Sequence, residues 1–319
     1  MTTSSDSALR PTSVSAMIGA DDVRRRLQIS INAAKQRGDV IPHIMFSGPP
    51  GTGKTSLALC VAQELGTELV VVNATALKVP LDLMQTLKNV NRGDVFFVDE
   101  IHMLSDAIQT YLLTVMEDFR IDIVYGRGNN KILASRPIEP ITVIGATTHL
   151  GLVSPPLRGR FRFKEELSLY TNEELARIIK TNATKLGCTI NDDAALAIGK
   201  RSRGTPRESV NLLMWVRDYC QDKGCTGINV PLVEEAMKEQ GIDHLGLGEL
   251  DRRYMFVLYD QYNGGPCGLQ TMASSLNVVD KTLSESVEPY LLQLGLLKRS
   301  ASGRCLSTEG LAYAASLRS

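Results

Sequence analysis

The chain has no surplus of charge. Among 319 residues, Lys and Arg together number 35 and Asp and Glu together number 35, for a net charge of zero. That excludes a protein held on nucleic acid by bulk positive charge, so any DNA contact has to come from a local patch. Long apolar runs are missing too: none approaches the roughly 18 residues of a membrane span. The segment Met1–Leu9 is rich in Ser and Thr and lacks the apolar core of a secretory signal. The expectation is a cytoplasmic protein with no membrane partner. The six cysteines (Cys60, Cys188, Cys220, Cys225, Cys267, Cys305) show no C-x-x-C spacing, and no histidine follows them at zinc-finger distance. They read as ordinary thiols of a reducing compartment. The four histidines (His43, His102, His149, His244) are not at metal spacing and read as structural or solvated. There is no internal repeat, and no low-complexity tract beyond the N-terminal tail. What remains is an ordinary globular composition, 43% hydrophobic and 22% charged. The length exceeds what one core usually organises, so two or three domains are expected.

Three textures divide the chain. In the first, to about residue 170, short β-rich runs alternate with helical patterns. The runs are His43–Ser47, Leu69–Asn73, Val95–Asp99 and Ile141–Ala146; the helical stretches include Thr55–Leu65 and Leu81–Val90. This alternation predicts an α/β domain with a parallel sheet covered on both faces. Residues 171–243 read as helices only. Thr171 to Glu174 forms a capping-box-like start for Leu175–Leu186; Asp192–Arg201 and Pro206–Cys220 follow, and Pro231 opens another helix. Residues 244–319 read as helices followed by two short strands, Leu296–Arg299 and Arg304–Ser307, around a Ser-Ala-Ser-Gly turn. That is the pattern of a winged helix-turn-helix.

Gly48-Pro-Pro-Gly51-Thr-Gly53-Lys54-Thr55 fits G-x-x-x-x-G-K-[ST], after an apolar strand and before a helix. Its glycines let backbone N–H groups converge on phosphates at a helix N-terminus. Lys54 is expected to reach the β- and γ-phosphates of ATP, and Thr55 to bind Mg2+. A second apolar run, Val95–Val98, ends in Asp99 and Glu100. Asp99 is the expected Mg2+ ligand and Glu100 the group that polarises the attacking water. Gly145-Ala-Thr-Thr148 ends another strand, where a hydroxyl can sense the γ-phosphate. Arg158 and Arg160 follow on a loop punctuated by Pro and Gly, and arginine often enters a phosphoryl-transfer site from a neighbouring subunit. Arg207, in Arg203-Gly-Thr-Pro-Arg207, is placed to tie a second domain to the γ-phosphate.

In this order the P-loop, the Asp99-Glu-Ile-His102 run, Gly-Ala-Thr-Thr, the Leu-Arg-Gly-Arg-Phe loop and Arg-Gly-Thr-Pro-Arg resemble an AAA+ ATPase. They are most similar to the RuvB family of Holliday-junction branch-migration motors. Further similarity lies in Leu9-Arg10-Pro11, Ile31–Gly38, Met116–Phe119, Gly264-Gly-Pro266 with Gly268-Leu269, and Glu288-Pro-Tyr-Leu291. The resemblance spans about residues 9–315. It implies an AAA+ P-loop domain at 1–170, a small helical lid at 171–243 and a C-terminal winged-helix domain at 244–319. It also implies roles. Leu9, Arg10 and Tyr170 would cover the base of ATP, with Ser56 on phosphate beside Gly48, Gly51 and Gly53. Thr148 would be the sensor, with Thr147 the fallback. Glu117, Asp118 and Phe119 would lie near nucleotide at a subunit boundary. Arg160 would be the trans-acting finger with Arg158 beside it, and Arg207 the second sensor. Arg299 and Arg304 would contact DNA. A hexameric ring around double-stranded DNA at a four-way junction follows, with a RuvA-like junction-binding protein as partner.

Some positions depart from the family pattern. Met103 and His149 stand where arginine is usual, and Ser302 replaces a basic residue of the wing. In Tyr125–Pro140, at the place of the partner-docking hairpin, Ser135 and Arg136 interrupt the apolar Ile132, Leu133 and Ile138. The last domain carries equal numbers of acidic and basic residues. Lys298, Arg299 and Arg304, by contrast, fall in a stretch without acids, suited to backbone phosphate contact that ignores sequence. Three functions fit. The first is an ATP-driven DNA motor. The second is a clamp-loader-like or remodelling AAA+ protein serving a different partner in DNA transactions. The third is a nucleotide-gated DNA-binding regulator with negligible turnover.

Overall fold

The computed structural model describes residues 8–125 and 132–317, with backbone alone for 123–125 and 132–134. The residues fall into two compact units, one running to Lys185 with Thr205–Arg207 added, the other holding the remainder.

In the first unit the elements are α1 (Asp21–Arg37), β1 (Ile44–Ser47), α2 (Lys54–Leu65), β2 (Leu69–Asn73), α3 (Pro80–Leu87), β3 (Val95–Asp99), α4 (Asp106–Asp118), β4 (Arg120–Tyr125), β5 (Ile132–Pro137), β6 (Thr142–Thr147), α5 (Pro155–Arg160), β7 (Phe163–Glu166) and α6 (Asn172–Lys185). Five strands form one sheet in the order β2-β3-β6-β1-β7, and every neighbouring pair is parallel. Helices cover both faces, so the central strands are apolar throughout rather than alternating with polar residues. Side chains still alternate in direction. Met45, Phe96, Val98 and Val143 join a core with α3 and α4 residues such as Leu83, Ile108 and Leu112. Ile44, Phe46, Phe97, Ile144 and Ala146 join the opposite core with Leu27 and Ile31 of α1 and Leu57 and Val61 of α2. Each such buried side chain contributes about 1.5–3 kcal/mol. Register sets Ser47 beside Thr147 and Asn73 beside Asp99. The loops after β1, β3 and β6 therefore leave the carboxyl edge of the sheet together, where open α/β sheets bind ligands.

Two elements differ from expectation. The edge strand β7 has no apolar run; its Phe-Lys-Glu-Glu sequence pairs with β1 through Ile44 and Phe163. Its buried Glu165 is neutralised by Arg26, whose Nε donates at 2.9 Å. The hairpin starts at Arg120, not Tyr125, and pairs Ile121 with Arg136 and Asp122 with Ser135. Ile138 is not part of an apolar hairpin face: it packs on the core of the first unit. The side chains of Ile132 and Leu133 lie outside the described residues.

The second unit contains α7 (Asp192–Arg201), α8 (Pro206–Asp222), α9 (Val230–Glu239), α10 (Glu249–Asp260), α11 (Leu269–Leu276), α12 (Asp280–Thr282), a wider π-type turn at Leu283–Val287, α13 (Glu288–Gln293), β8 (Leu297–Ser300), β9 (Gly303–Leu306) and α14 (Thr308–Ser316). Caps fix several starts: Asn191, Asn229 and Ser307 side chains accept from Ala194, Leu232 and Gly310 N–H at 2.8, 3.0 and 2.9 Å. β8 and β9 pair antiparallel, Leu297 with Leu306 and Arg299 with Arg304, as a wing. A core of Tyr254, Met255, Leu258, Met272, Leu283 and Leu291 lies under it. The closing helix α14 was not anticipated. It follows the wing at once, capped by Ser307, and packs on α10.

Candidate nucleotide site and wing

The P-loop backbone depends on glycine at two places. Gly53 caps α2 with φ of 97°, a left-handed geometry that side chains disfavour. Gly48 has φ of 136°, and a Cβ there would run into the Leu167 carbonyl. The first residue of α2 is Lys54. Its side chain is buried, and its ammonium donates to the carbonyls of Gly48 at 2.7 Å and Pro49 at 2.8 Å. Burial holds the Lys54 pKa below its usual value; Glu100 and Asp99 oppose that shift, and Arg207 adds to it. No side chain caps α2, so its first N–H groups are left to a ligand. Thr55 and Ser56 follow, both partly exposed. Arg207 is close as well: a Cβ built on Gly51 would lie 3.3 Å from the Arg207 Cβ.

At the end of β3, Asp99 is pushed above the ordinary carboxylate range by burial and then by Glu100, with Lys54 and Arg207 pulling it back. Glu100 adopts φ of 50° and ψ of 48°, a left-handed backbone uncommon outside glycine. Strain of that kind concentrates at functional positions. Its Oε2 accepts from the Thr148 N–H at 3.2 Å and the Thr148 hydroxyl at 3.0 Å, and lies 3.2 Å from Nδ1 of His102. A hydroxyl and a half-buried carboxylate form a hard oxygen donor set. Thr55 and Asp99 therefore fit Mg2+, which takes few protein ligands and keeps waters.

The base-covering segment is anchored. Leu9 is buried, and Lys185 Nζ donates to the carbonyls of Leu9 at 3.3 Å and Arg10 at 3.1 Å. Cys60 on α2 donates to the Pro11 carbonyl at 3.3 Å. The Tyr170 hydroxyl donates to the Thr52 carbonyl at 3.2 Å, and burial pushes its pKa up to about 12. Thus the structure gathers Lys54, Asp99, Glu100, Thr148 and Arg207 around one loop.

Arg160 is not gathered there. It closes the short helix α5, half exposed, and its guanidinium pairs with Glu117. Arg158 and Arg160 are not among the charges acting on Lys54 or Asp99. Phe119 ends α4 in left-handed geometry, its ring 6.5 Å from that of His43, and Asp118 pairs with Arg120 at 3.4 Å.

The histidines are structural or solvated as expected, and two of them also border the carboxylate of Glu100. His43 and His244 are structural and solvated respectively: His43 Nδ1 accepts from Val143 N–H at 2.9 Å, and His244 is exposed. His102 and His149, however, belong to the Glu100 network. His102 is buried against Thr147 at 2.9 Å, His149 Nδ1 lies 2.9 Å from the Thr148 hydroxyl, and the two rings are 5.1 Å apart. The sequence signal for this network is their adjacency to Glu100 and Thr148.

The wing arginines have a partner that lies outside their own stretch. The wing tip is free of acids in sequence but not in space. Glu288, at the start of α13, is fully buried and takes both arginines. Arg299 Nε and Nη2 lie 2.8 and 2.6 Å from Oε2. Arg304 Nε donates to Oε1 at 2.9 Å and Nη2 to Oε2 at 3.3 Å, and Tyr254 donates to Oε1 at 3.1 Å. The Arg304 side chain is 20% exposed and that of Arg299 44%, while Lys298 stands outside the network in solvent. Arg304 is thus committed to the core, and Lys298 and Arg299 form the accessible tip.

Among the described residues, no helix is long and apolar enough to cross a membrane and no three or more metal-ligating side chains cluster. A parallel sheet with a nucleotide-binding P-loop and paired carboxylates at its carboxyl edge, followed by helices and a winged helix, defines an AAA+ P-loop ATPase. Family models described as the "Holliday junction DNA helicase RuvB P-loop domain", the "RuvB AAA lid domain" and the "RuvB C-terminal winged helix domain" match residues 9–167, 170–243 and 244–315. The chain belongs to the RuvB family. It is 46% identical over 308 residues to the "Holliday junction branch migration complex subunit RuvB" of Rhodopirellula baltica, covering 97% of this chain and 84% of that protein. It is 44% identical over 296 residues to the protein of the same description from Kosmotoga olearia, covering 93% and 86%. The solved Thermotoga maritima RuvB Holliday junction branch migration motor superposes with a TM-score of 0.85 at 41% identity, covering 96% of this chain and 98% of that one.

Proposed function

We propose that the protein is an ATP-driven motor that moves duplex DNA through four-way junctions, acting in recombination and repair in the cytoplasm. The observation that carries this reading is the meeting of Lys54, Asp99, Glu100, Thr148 and Arg207 at one sheet edge, in a chain whose relatives are named for branch migration. The division of labour follows domains at 1–170, 171–243 and 244–319. Gly48, Gly51, Gly53, Lys54 and Ser56 hold phosphates; Leu9, Arg10 and Tyr170 hold the base. Thr55 and Asp99 would hold Mg2+, which would supply charge neutralisation for phosphoryl transfer. Glu100 takes the proton of the attacking water, Thr148 holds Glu100 through its N–H and hydroxyl, and Arg207 reads the γ-phosphate.

Arg160, with Arg158, Glu117, Asp118 and Phe119, serves the site of the next subunit in a hexameric ring. A head-to-tail contact that closes on itself gives such an arrangement. Lys298 and Arg299 touch the DNA backbone, and ring assembly multiplies a weak individual contact. A RuvA-type protein docks on the β4–β5 hairpin.

The test is ATPase activity and junction dissociation on a four-way junction, with and without a RuvA-type protein. Mg2+-dependent hydrolysis stimulated by DNA, coupled to strand separation, is expected. Full activity in both Glu100→Gln and Arg160→Ala would overturn the mechanism. The polar Asp122–Ser135 pair in the hairpin favours a second reading, a RuvB-like remodeller with a different partner. Failure to bind any RuvA-type protein while another DNA-transaction protein is retained would support it.

A further inference from the structure

The carboxylate of Glu100 is used asymmetrically. One oxygen, Oε2, faces the Thr148 N–H at 3.2 Å, the Thr148 hydroxyl at 3.0 Å and His102 Nδ1 at 3.2 Å. Among the described residues Oε1 makes no hydrogen bond. The directions of the protons follow from counting. His102 Nδ1 also lies 2.9 Å from the Thr147 hydroxyl, so its proton is not needed for the count at Thr148. The Thr148 hydroxyl has one proton, and it goes to Glu100. The hydroxyl oxygen is also 2.9 Å from Nδ1 of His149. With its proton spent, that oxygen can only accept, so His149 Nδ1 has to be the donor. The backbone N–H of His149 in turn donates to the Thr147 hydroxyl oxygen at 3.0 Å, which fixes where its ring begins. The ring leans on that of His102 at 5.1 Å.

We propose that His149 is a positioning residue for ATP hydrolysis: its Nδ1–H orients the Thr148 hydroxyl so that the hydroxyl pins Oε2 of Glu100 and leaves Oε1 to take the proton of water. The chain runs from imidazole N–H to hydroxyl to carboxylate, and each link polarises the next. Without the imidazole donor the hydroxyl proton is free to turn away, and the carboxylate loses a tether that its strained, left-handed backbone position does not replace. His149 itself is exposed and buries no core surface, so its removal leaves the fold intact. Its position is one where the family resemblance leads one to expect arginine, so the device belongs to this chain's own sequence.

The inference rests on Glu100 being the base. The experiment therefore measures steady-state ATP hydrolysis by the full-length chain with Mg2+ and saturating duplex DNA, for wild type, Glu100→Gln, His149→Leu and His149→Asn. Asparagine places an amide N–H close to where Nδ1–H stands; leucine fills similar volume without a donor. The expected result is a kcat for His149→Leu lowered about tenfold, as for a displaced reacting group, with the KM for ATP and the melting temperature unchanged. His149→Asn is expected to recover most of that loss. A wild-type kcat in His149→Leu, or an equal loss in His149→Asn and His149→Leu, overturns the proton-donor role. Retained turnover in Glu100→Gln instead overturns the assignment of the base on which the inference stands.

Discussion

At the P-loop a buried lysine rests on two backbone carbonyls, and two carboxylates end their strand without a guanidinium partner. In the wing a buried carboxylate is enclosed by two guanidinium groups and a phenol. Both places bury charge, but they balance it differently. The first leaves Lys54 and Asp99 with pKa values displaced by burial, held by groups that a phosphate and a cation can replace. The second has two cations around one anion, and it holds a strand hairpin against a helix. Perturbed, replaceable charge marks a site of chemistry; satisfied charge marks a joint.

Removing Arg160 should have the largest effect. Arg160→Ala is expected to lower DNA-stimulated ATP turnover about a thousandfold, as loss of an arginine finger does. Mixing Arg160→Ala subunits with Glu100→Gln subunits should restore part of the activity, because each supplies what its neighbour lacks; a steady-state ATPase titration of the mixture checks it. Glu100→Gln alone should cost about a hundredfold or more in kcat, the scale of general-base catalysis, with nucleotide affinity retained in an equilibrium binding assay.

The wing should respond in stability rather than turnover. Glu288→Gln leaves two buried-side guanidinium groups short of charge and should cost about 3 kcal/mol in denaturant unfolding, while hydrolysis without DNA stays unchanged. The joint also has a pH signature. Burial raises the Glu288 pKa, but Arg304 and Arg299 outweigh it and hold the carboxyl below its ordinary 4.5. A lowered folded-state value means the stabilisation is complete above about pH 4.5 and is lost as pH falls through the folded value. Acid unfolding followed by tyrosine near-UV circular dichroism should show this loss in wild type and a flatter profile in Glu288→Gln. The smallest effect belongs to the accessible tip. Lys298→Ala should weaken DNA binding slightly and equally across sequences, and lower the salt slope by about one.

Much of the first region was legible in sequence, because its information is local. A P-loop needs glycine at φ values that other residues avoid, and β1, β3 and β6 are continuous buried runs because both faces of the sheet are covered. Asp99 and Glu100 then fall at the sheet edge by register. The wing was less legible because the partner of its arginines is remote. Glu288 precedes Arg304 by 16 positions, and only the fold of α13 under β8 and β9 reveals that it pairs with the wing arginines. β7 escaped notice for a related reason: its charged Glu165 is tolerable in a strand only through Arg26, 139 residues away. The network of His102 and His149 leaves no mark in metal spacing, because it is built from hydroxyls and a carboxylate.

The central claim is that hydrolysis at this P-loop moves DNA. The direct measurement is the rate of dissociation of a labelled four-way junction by the assembled protein with a RuvA-type partner, ATP and Mg2+, wild type beside Glu100→Gln. The account predicts separation into duplex arms by wild type and none by Glu100→Gln, although that variant still binds ATP. Separation at the wild-type rate by Glu100→Gln would contradict it.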